Sequence, residues 1–316
     1  MASEVIRTVA LVNSLTATTI SIVANMSVIA FIAAQRRSRF KGFNYIYTIL
    51  YIAFVHIIYS INQVLAAPII HIHTDELIFV NNGVLQHETP GQVSLCIFAF
   101  FVNYSVLFCS AQFIIKYFII CRFNNHNRSN KIYSLHIVTF LLAFGWSFLL
   151  CWALWKSREH NVLDGHEMDA EFAGRPSLDS PIRENTELLV AVFLLFFLVL
   201  VSLLIMVFCS RRITLTLQNL RTDKSKNIQI RMYKILLAET ALPLILIHLP
   251  LIASCLLPLV DLHVNIILDY LPLLYAWYPA LDPLVVLWNL KMKDVKLKKF
   301  YKRSSTAMQV VVVTNA

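Results

Sequence analysis

The run Tyr278-Pro279-Ala280-Leu281-Asp282-Pro283 places one carboxylate and two prolines near the end of the last long apolar stretch of this chain. An ionisable residue inside a membrane span is costly, so it is expected to face the protein interior beside a partner. Each proline removes a backbone donor and bends its helix. The alternative for Asp282 is a place in the headgroup zone, six residues before Trp288. A second set lies earlier. Phe98, Val102, Ser105, Cys109, Gln112 and Lys116 recur at steps of four, three, four, three and four, which is one face of a helix. Lipid would reject Gln112 and Lys116, so this face is expected to look into protein, with snorkelling to the headgroups as the alternative for Lys116. Glu239 stands in another apolar stretch, five residues past Lys234. Pairing of Lys116 with Glu239 would neutralise both, and they are expected to form a resting-state latch.

Other polar patterns carry less chemistry. His56, Tyr59 and Gln63 form a stripe at i, i+3, i+7 that reads as hydrogen bonding between helices. His71-x-His73 with Asp75 and Glu76 lacks further ligands at metal spacing, and His166-Glu167 lacks the second histidine of a zinc-protease helix. No nucleophile, base and orienter occur together, so neither catalysis nor a metal or cofactor is expected.

The elements that must position these residues follow from composition. A hydrophobic fraction of 58%, a charged fraction of 14% and a mean hydropathy of +0.66 are those of a polytopic membrane protein. Seven stretches are long and apolar enough to span: about 9–34, 45–70, 93–120, 132–155, 188–210, 235–260 and 264–288. One seven-helix bundle over residues 1–316 is expected, with the loops 71–92 and 156–186 as polar connections. Of the 27 Lys and Arg, 22 fall on one side, in 36–41, 116–131, 211–234 and 291–303. That asymmetry predicts an outer N-terminus and a cytosolic C-terminus, and the bilayer accounts for the basic face without nucleic acid. Ile213, Leu217 and Leu220 predict that the fifth helix runs on past the membrane. The lysines of 289–301, alternating with apolar residues, predict a short amphipathic helix after the seventh. All six cysteines lie within spans or at their inner ends, so no outer disulfide is expected. The sequons at Asn25, Asn103 and Asn127 lie in spans or inside, so no N-glycan is expected either.

Specific residues then resemble a known family. Phe40-Lys41-Gly42 leading to Tyr45, then Tyr59 and Pro68-Ile69-Ile70-His71, are similar to the second-helix region of the nematode serpentine chemoreceptors of class r, the Str family. Pro243, Pro250, Tyr278-Pro279 and Asp282-Pro283 extend the resemblance over most of the chain. It implies a rhodopsin-like G-protein-coupled receptor in the plasma membrane of sensory cilia. Such a receptor takes a small odorant-like ligand and acts on a heterotrimeric G protein. By the same resemblance the ligand site is the outer half, where Phe98, Val102 and Ser105 meet Tyr275 and His248. The signalling switch comprises Lys116, Tyr117, Glu239, Asp282 and Pro283. Asp282-Pro283 stands where such receptors carry Asn/Asp-Pro-x-x-Tyr, with Val286 in place of the tyrosine, and Lys116 replaces the arginine of Asp-Arg-Tyr. Lysine keeps the charge but loses the five-donor fork. A ligand-gated channel or facilitative carrier is the alternative. The insect odorant receptors of that kind have the reverse topology, against which the charge asymmetry speaks.

Overall fold

The computed structural model describes residues 2–36, 44–73, 76–121, 128–163, 175–181, 185–218, 238, 241–253 and 265–288. Its long helices are α1 (Ala2–Arg36), α2 (Asn44–Ala66), α3 (Glu88–Cys121), α4 (Arg128–Leu163) and α5 (Thr186–Gln218). The shorter α6 (Ala241–Ala253) follows, and the seventh span is in two pieces, α7 (Asn265–Tyr275) and α8 (278–288). Among the described residues six helical spans are long and apolar enough to cross a bilayer, and α6 is a shorter apolar helix. In α3, 78% of the most apolar window is buried, against 28% in α5, so α3 is the hub and α5 lies largely against lipid. Phe193, Phe197 and Leu204 are accordingly exposed.

The polar connections carry structure that the sequence reading did not foresee. β1 (Ile69–His73) and β2 (Glu76–Val80) form an antiparallel hairpin, and β3 (Ser177–Pro181) adds to β2. The β-branched residues of 69–80 suit a pleated strand. β1 and β2 bury Ile69, Ile78 and Val80 with Ala10 of α1 and Leu273 of α7, while β3 rests on α4. The sheet thus spans the end of the bundle that the charge distribution places outside.

α2 stops at Ala66, four residues short of the expected boundary. Pro68 cannot donate and disfavours helix at the residue before it, and Ala67 turns to a positive φ of 34°. The carbonyls left over at the helix end are met by the chain returning from the hairpin. Asn82 and Gly83 N–H donate to Ala66 O, each at 3.0 Å, and Val84 and Leu85 N–H to Val64 and Leu65 O, each at 3.3 Å. Gly83 is required there, because a Cβ would lie 2.2 Å from Leu65 O. α3 also starts five residues earlier than expected, with Glu88 in its first turn. Asn185 caps α5 through its Oδ1, which accepts from Leu188 N–H at 3.0 Å. α5 continues to Gln218, past the apolar run, as its amphipathic end predicts.

Candidate functional site

In the outer half, Phe98, Val102 and Tyr275 are buried in one cluster that joins α3 to α7. The Phe98 and Tyr275 rings lie 6.1 Å apart, and Tyr59 of α2 stacks on Phe101 at 5.4 Å and approaches Phe98 at 6.4 Å. Ser105 is also buried, but its hydroxyl donates to Phe101 O of its own helix at 2.7 Å. His248 sits in the π-helical turn Leu244–His248 of α6. Its Nδ1 lies 3.1 Å from Pro243 O and its Nε2 3.3 Å from Ser202 Oγ of α5, which itself donates to Val106 O at 2.9 Å. The structure therefore brings Phe98, Val102 and Tyr275 together and ties His248 to α5 and α3 instead.

The broken seventh span explains the polar residues around it. Pro279 has no N–H for Tyr275 O, and Pro283 has none for Pro279 O. Tyr59 OH donates to Tyr275 O at 3.4 Å, while Ser21 Oγ and Asn25 Nδ2 donate to Pro279 O at 2.9 and 3.1 Å. At the break, Trp277 N–H turns to Leu274 O, and Leu273 O accepts from Asn13 Nδ2 at 3.0 Å. Trp277 Nε1 donates back to Asn13 Oδ1 at 2.9 Å. In lipid each orphaned carbonyl would cost several kcal/mol, so these donors on α1 and α2 are what permit the break. Sequence reasoning expected Tyr59 to hydrogen-bond between helices but missed the donors on α1. Ser14, Thr18, Ser21 and Asn25 recur at i, i+4, i+7, i+11 and are all buried, a stripe that could have revealed the α1 side of this seam.

Below the break, Asp282 is only 7% exposed. Its Oδ2 lies 3.9 Å from His56 Nδ1, beyond hydrogen-bond distance. His56 sets its ring edge-on to Tyr278 at 5.2 Å, and Tyr278 OH meets Cys109 Sγ at 3.3 Å. The α2 stripe and the α3 face thus converge on the Asp-Pro turn, although the sequence reading assigned His56 only to hydrogen bonding between helices. Farther down α3, Lys116 Nζ stands 5.2 Å over the Phe113 ring, and Tyr117 lies 6.5 Å from Phe208 of α5. Glu239, His166 and the stretch 289–301 lie outside the described residues. Above the break, Arg175 donates to Asn82 Oδ1 under the sheet, and Asn82 Nδ2 donates to Arg7 O at 2.8 Å. Burial and the nearby Arg7 charge pull Arg175 below the usual arginine range, though a guanidinium stays charged.

The family described as serpentine type 7TM GPCR chemoreceptor Str matches this chain over residues 11–173 and 180–292. The Caenorhabditis elegans protein named G-protein coupled receptor str-33 is 22% identical over 312 residues, covering 91% of this chain and 89% of that protein. The crystal structure of squid rhodopsin superposes with a TM-score of 0.59 at 14% identity, covering 90% of this chain and 81% of that one. At such identity the last comparison speaks to fold alone.

Proposed function

The chain belongs to the serpentine type seven-transmembrane chemoreceptor family Str, so it is a multi-pass G-protein-coupled receptor. From that premise we propose that it resides in the plasma membrane of sensory cilia and binds a small odorant-like molecule between α3 and α7. Binding there is passed to a heterotrimeric G protein at the opposite end. The observation that carries this reading is the continuity of one seam. Phe98, Tyr59 and Tyr275 at the top and Cys109, His56, Tyr278 and Asp282 at the bottom are linked through the break at 276–277. A ligand that displaces the Tyr275 ring must strain the carbonyl that Tyr59 holds, and so shift the piece of helix that carries Asp282. Lys116 and Glu239 are assigned to the closed arrangement as a latch, and Tyr117 and Pro283 to the moving inner ends. The apolar lining of the upper seam suits a small lipophile with few polar groups.

The test is expression with a promiscuous G protein, a screen of volatile and water-soluble cues, and a second-messenger readout. Tyr275→Ala and Phe98→Ala should weaken the agonist's potency at matched surface level. Unchanged potency in both would place the ligand elsewhere.

A further inference from the structure

We propose that Cys96 of α3 and Cys151 of α4 are a reactive dithiol in the outer leaflet, which a hydroperoxide closes to a disulfide between the two helices. Both are free thiols, and they are hydrogen-bonded to each other across the seam between α3 and α4. Packing on the inner side of the pair keeps the helices together. Leu95 and Ala99 flank Cys96, Leu150 and Leu154 flank Cys151, and all four belong to one buried cluster. Sulfurs already in contact need only side-chain rotation and a small approach to reach the separation of about 2 Å in a disulfide. The other described cysteines lie elsewhere. Cys109 Sγ meets Tyr278 OH at 3.3 Å, Cys121 Sγ meets Thr216 Oγ1 at 3.2 Å, and Cys209 is buried.

The position of the pair selects the oxidant. Both thiols are half-buried, and beside them Val93 and Ile97 of α3 and Phe148 and Trp152 of α4 are exposed, as residues against lipid are. Trp155 lies four residues, or about 6 Å along the helix, farther out than Cys151. Next to it, Lys156 pairs with Glu187 at the outer surface. The thiols therefore border acyl chains just below the interface. A charged oxidant such as glutathione disulfide stays in the water, whereas hydrogen peroxide is small and neutral and a lipid hydroperoxide forms among the chains themselves. The reaction runs in two steps. One sulfur attacks the terminal oxygen of the hydroperoxide, the O–O bond breaks, and the thiol hydrogen passes to the departing oxygen, giving a sulfenic acid and an alcohol, or water from hydrogen peroxide. The second sulfur attacks the sulfenic sulfur, and its hydrogen leaves with the hydroxyl as water. Two thiols lose two electrons in all, and one hydroperoxide gains them. The hydrogen bond between the thiols matters because it holds the second sulfur ready before the first is oxidised.

The test uses the full chain in nanodiscs of saturated phosphatidylcholine. One sample receives hydrogen peroxide, a second carries a phospholipid hydroperoxide at trace level, and a third receives glutathione disulfide. Free thiols are blocked with one alkylating agent, disulfides are then reduced and tagged with another, and the peptides are mapped by mass spectrometry. A disulfide joining Cys96 to Cys151 should form with hydroperoxide, several-fold faster than with glutathione disulfide, and should reopen with dithiothreitol. Whichever hydroperoxide acts faster identifies the source. Cys109 and Cys209 should stay reduced over the same interval. With Cys96→Ser or Cys151→Ser the second step is lost, so dimedone should trap a sulfenic acid on the remaining cysteine of the pair. The parent map is decisive even if a variant fails to fold. No such disulfide with either hydroperoxide, equal rates with glutathione disulfide, or oxidation of Cys109 and Cys209 as fast as that of the pair would overturn the proposal.

Discussion

Asp282 is a carboxylate with His56 Nδ1 3.9 Å away and the Tyr278 hydroxyl one turn above it, in a place from which lipid and water are both largely excluded. Asp282→Asn keeps the volume and some hydrogen bonding but removes the charge. It should leave surface expression near the parent level while changing agonist response. Asp282→Leu removes both and should largely abolish response, as read by second messenger at matched surface level. Normal signalling with leucine would make this carboxylate a bystander. Lys116 and Glu239 call for a double-mutant cycle on ligand-free activity. Lys116→Glu and Glu239→Lys should each change basal signalling, and the swapped pair should move back toward the parent. Strict additivity would remove the latch. At this scale the sequence marks candidate residues on α3 and α8 by type alone, through their cost in lipid. It did not disclose partners. His56 reaches Asp282 and Cys109 reaches Tyr278 across helix interfaces, and no spacing within one helix encodes that.

The broken seventh span shows how elements support one another. Its prolines were legible, and so was the bend. The donors that make the bend tolerable lie more than 200 residues away on α1 and α2 and depend on packing order. Asn25→Ala should cost about 1–3 kcal/mol, the range for leaving a buried acceptor poorly satisfied. The measurement is the thermal midpoint of the purified receptor. Pro283→Ala restores an N–H for Pro279 O, so the loss from Asn25→Ala should shrink in that background, and an undiminished loss would contradict the assignment. Gly83→Ala probes the end of α2. Its new Cβ would meet Leu65 O and Val64 O, both backbone atoms, at 2.2 and 2.5 Å, so it should cut surface expression sharply, whereas Ala at Gly145, where the added atom meets nothing within 4 Å, should not. The hairpin escaped the sequence reading because its strands are short and alternate weakly between polar and apolar. Its pairing with β3 also spans almost a hundred residues.

For the whole molecule, charge asymmetry makes the firmest forecast. A tag at residue 2 should be reached by antibody on intact cells, and a tag at residue 316 only after permeabilisation. The reverse pattern would sink the orientation on which the proposed function rests. Seven spans and their order were readable because a hydrocarbon slab imposes length and hydropathy on every helix that crosses it. The arrangement of those spans around α3 was not readable in the same way. Nearly all faces are apolar, so burial against protein and burial against lipid look alike in composition.

The outer sheet joins two loops that the ribosome makes at different times. β1 and β2 adjoin in sequence and can pair once both have emerged, but β3 begins almost a hundred residues after β2 ends, with α3 and α4 in between. At about 5–20 residues per second, the free side of β2 waits roughly 5–20 s for its neighbour. An unpaired edge is a template for the wrong strand, including the same hairpin on another nascent chain. The lumenal quality-control machinery should therefore engage this receptor most strongly in the interval between the third and fifth helices.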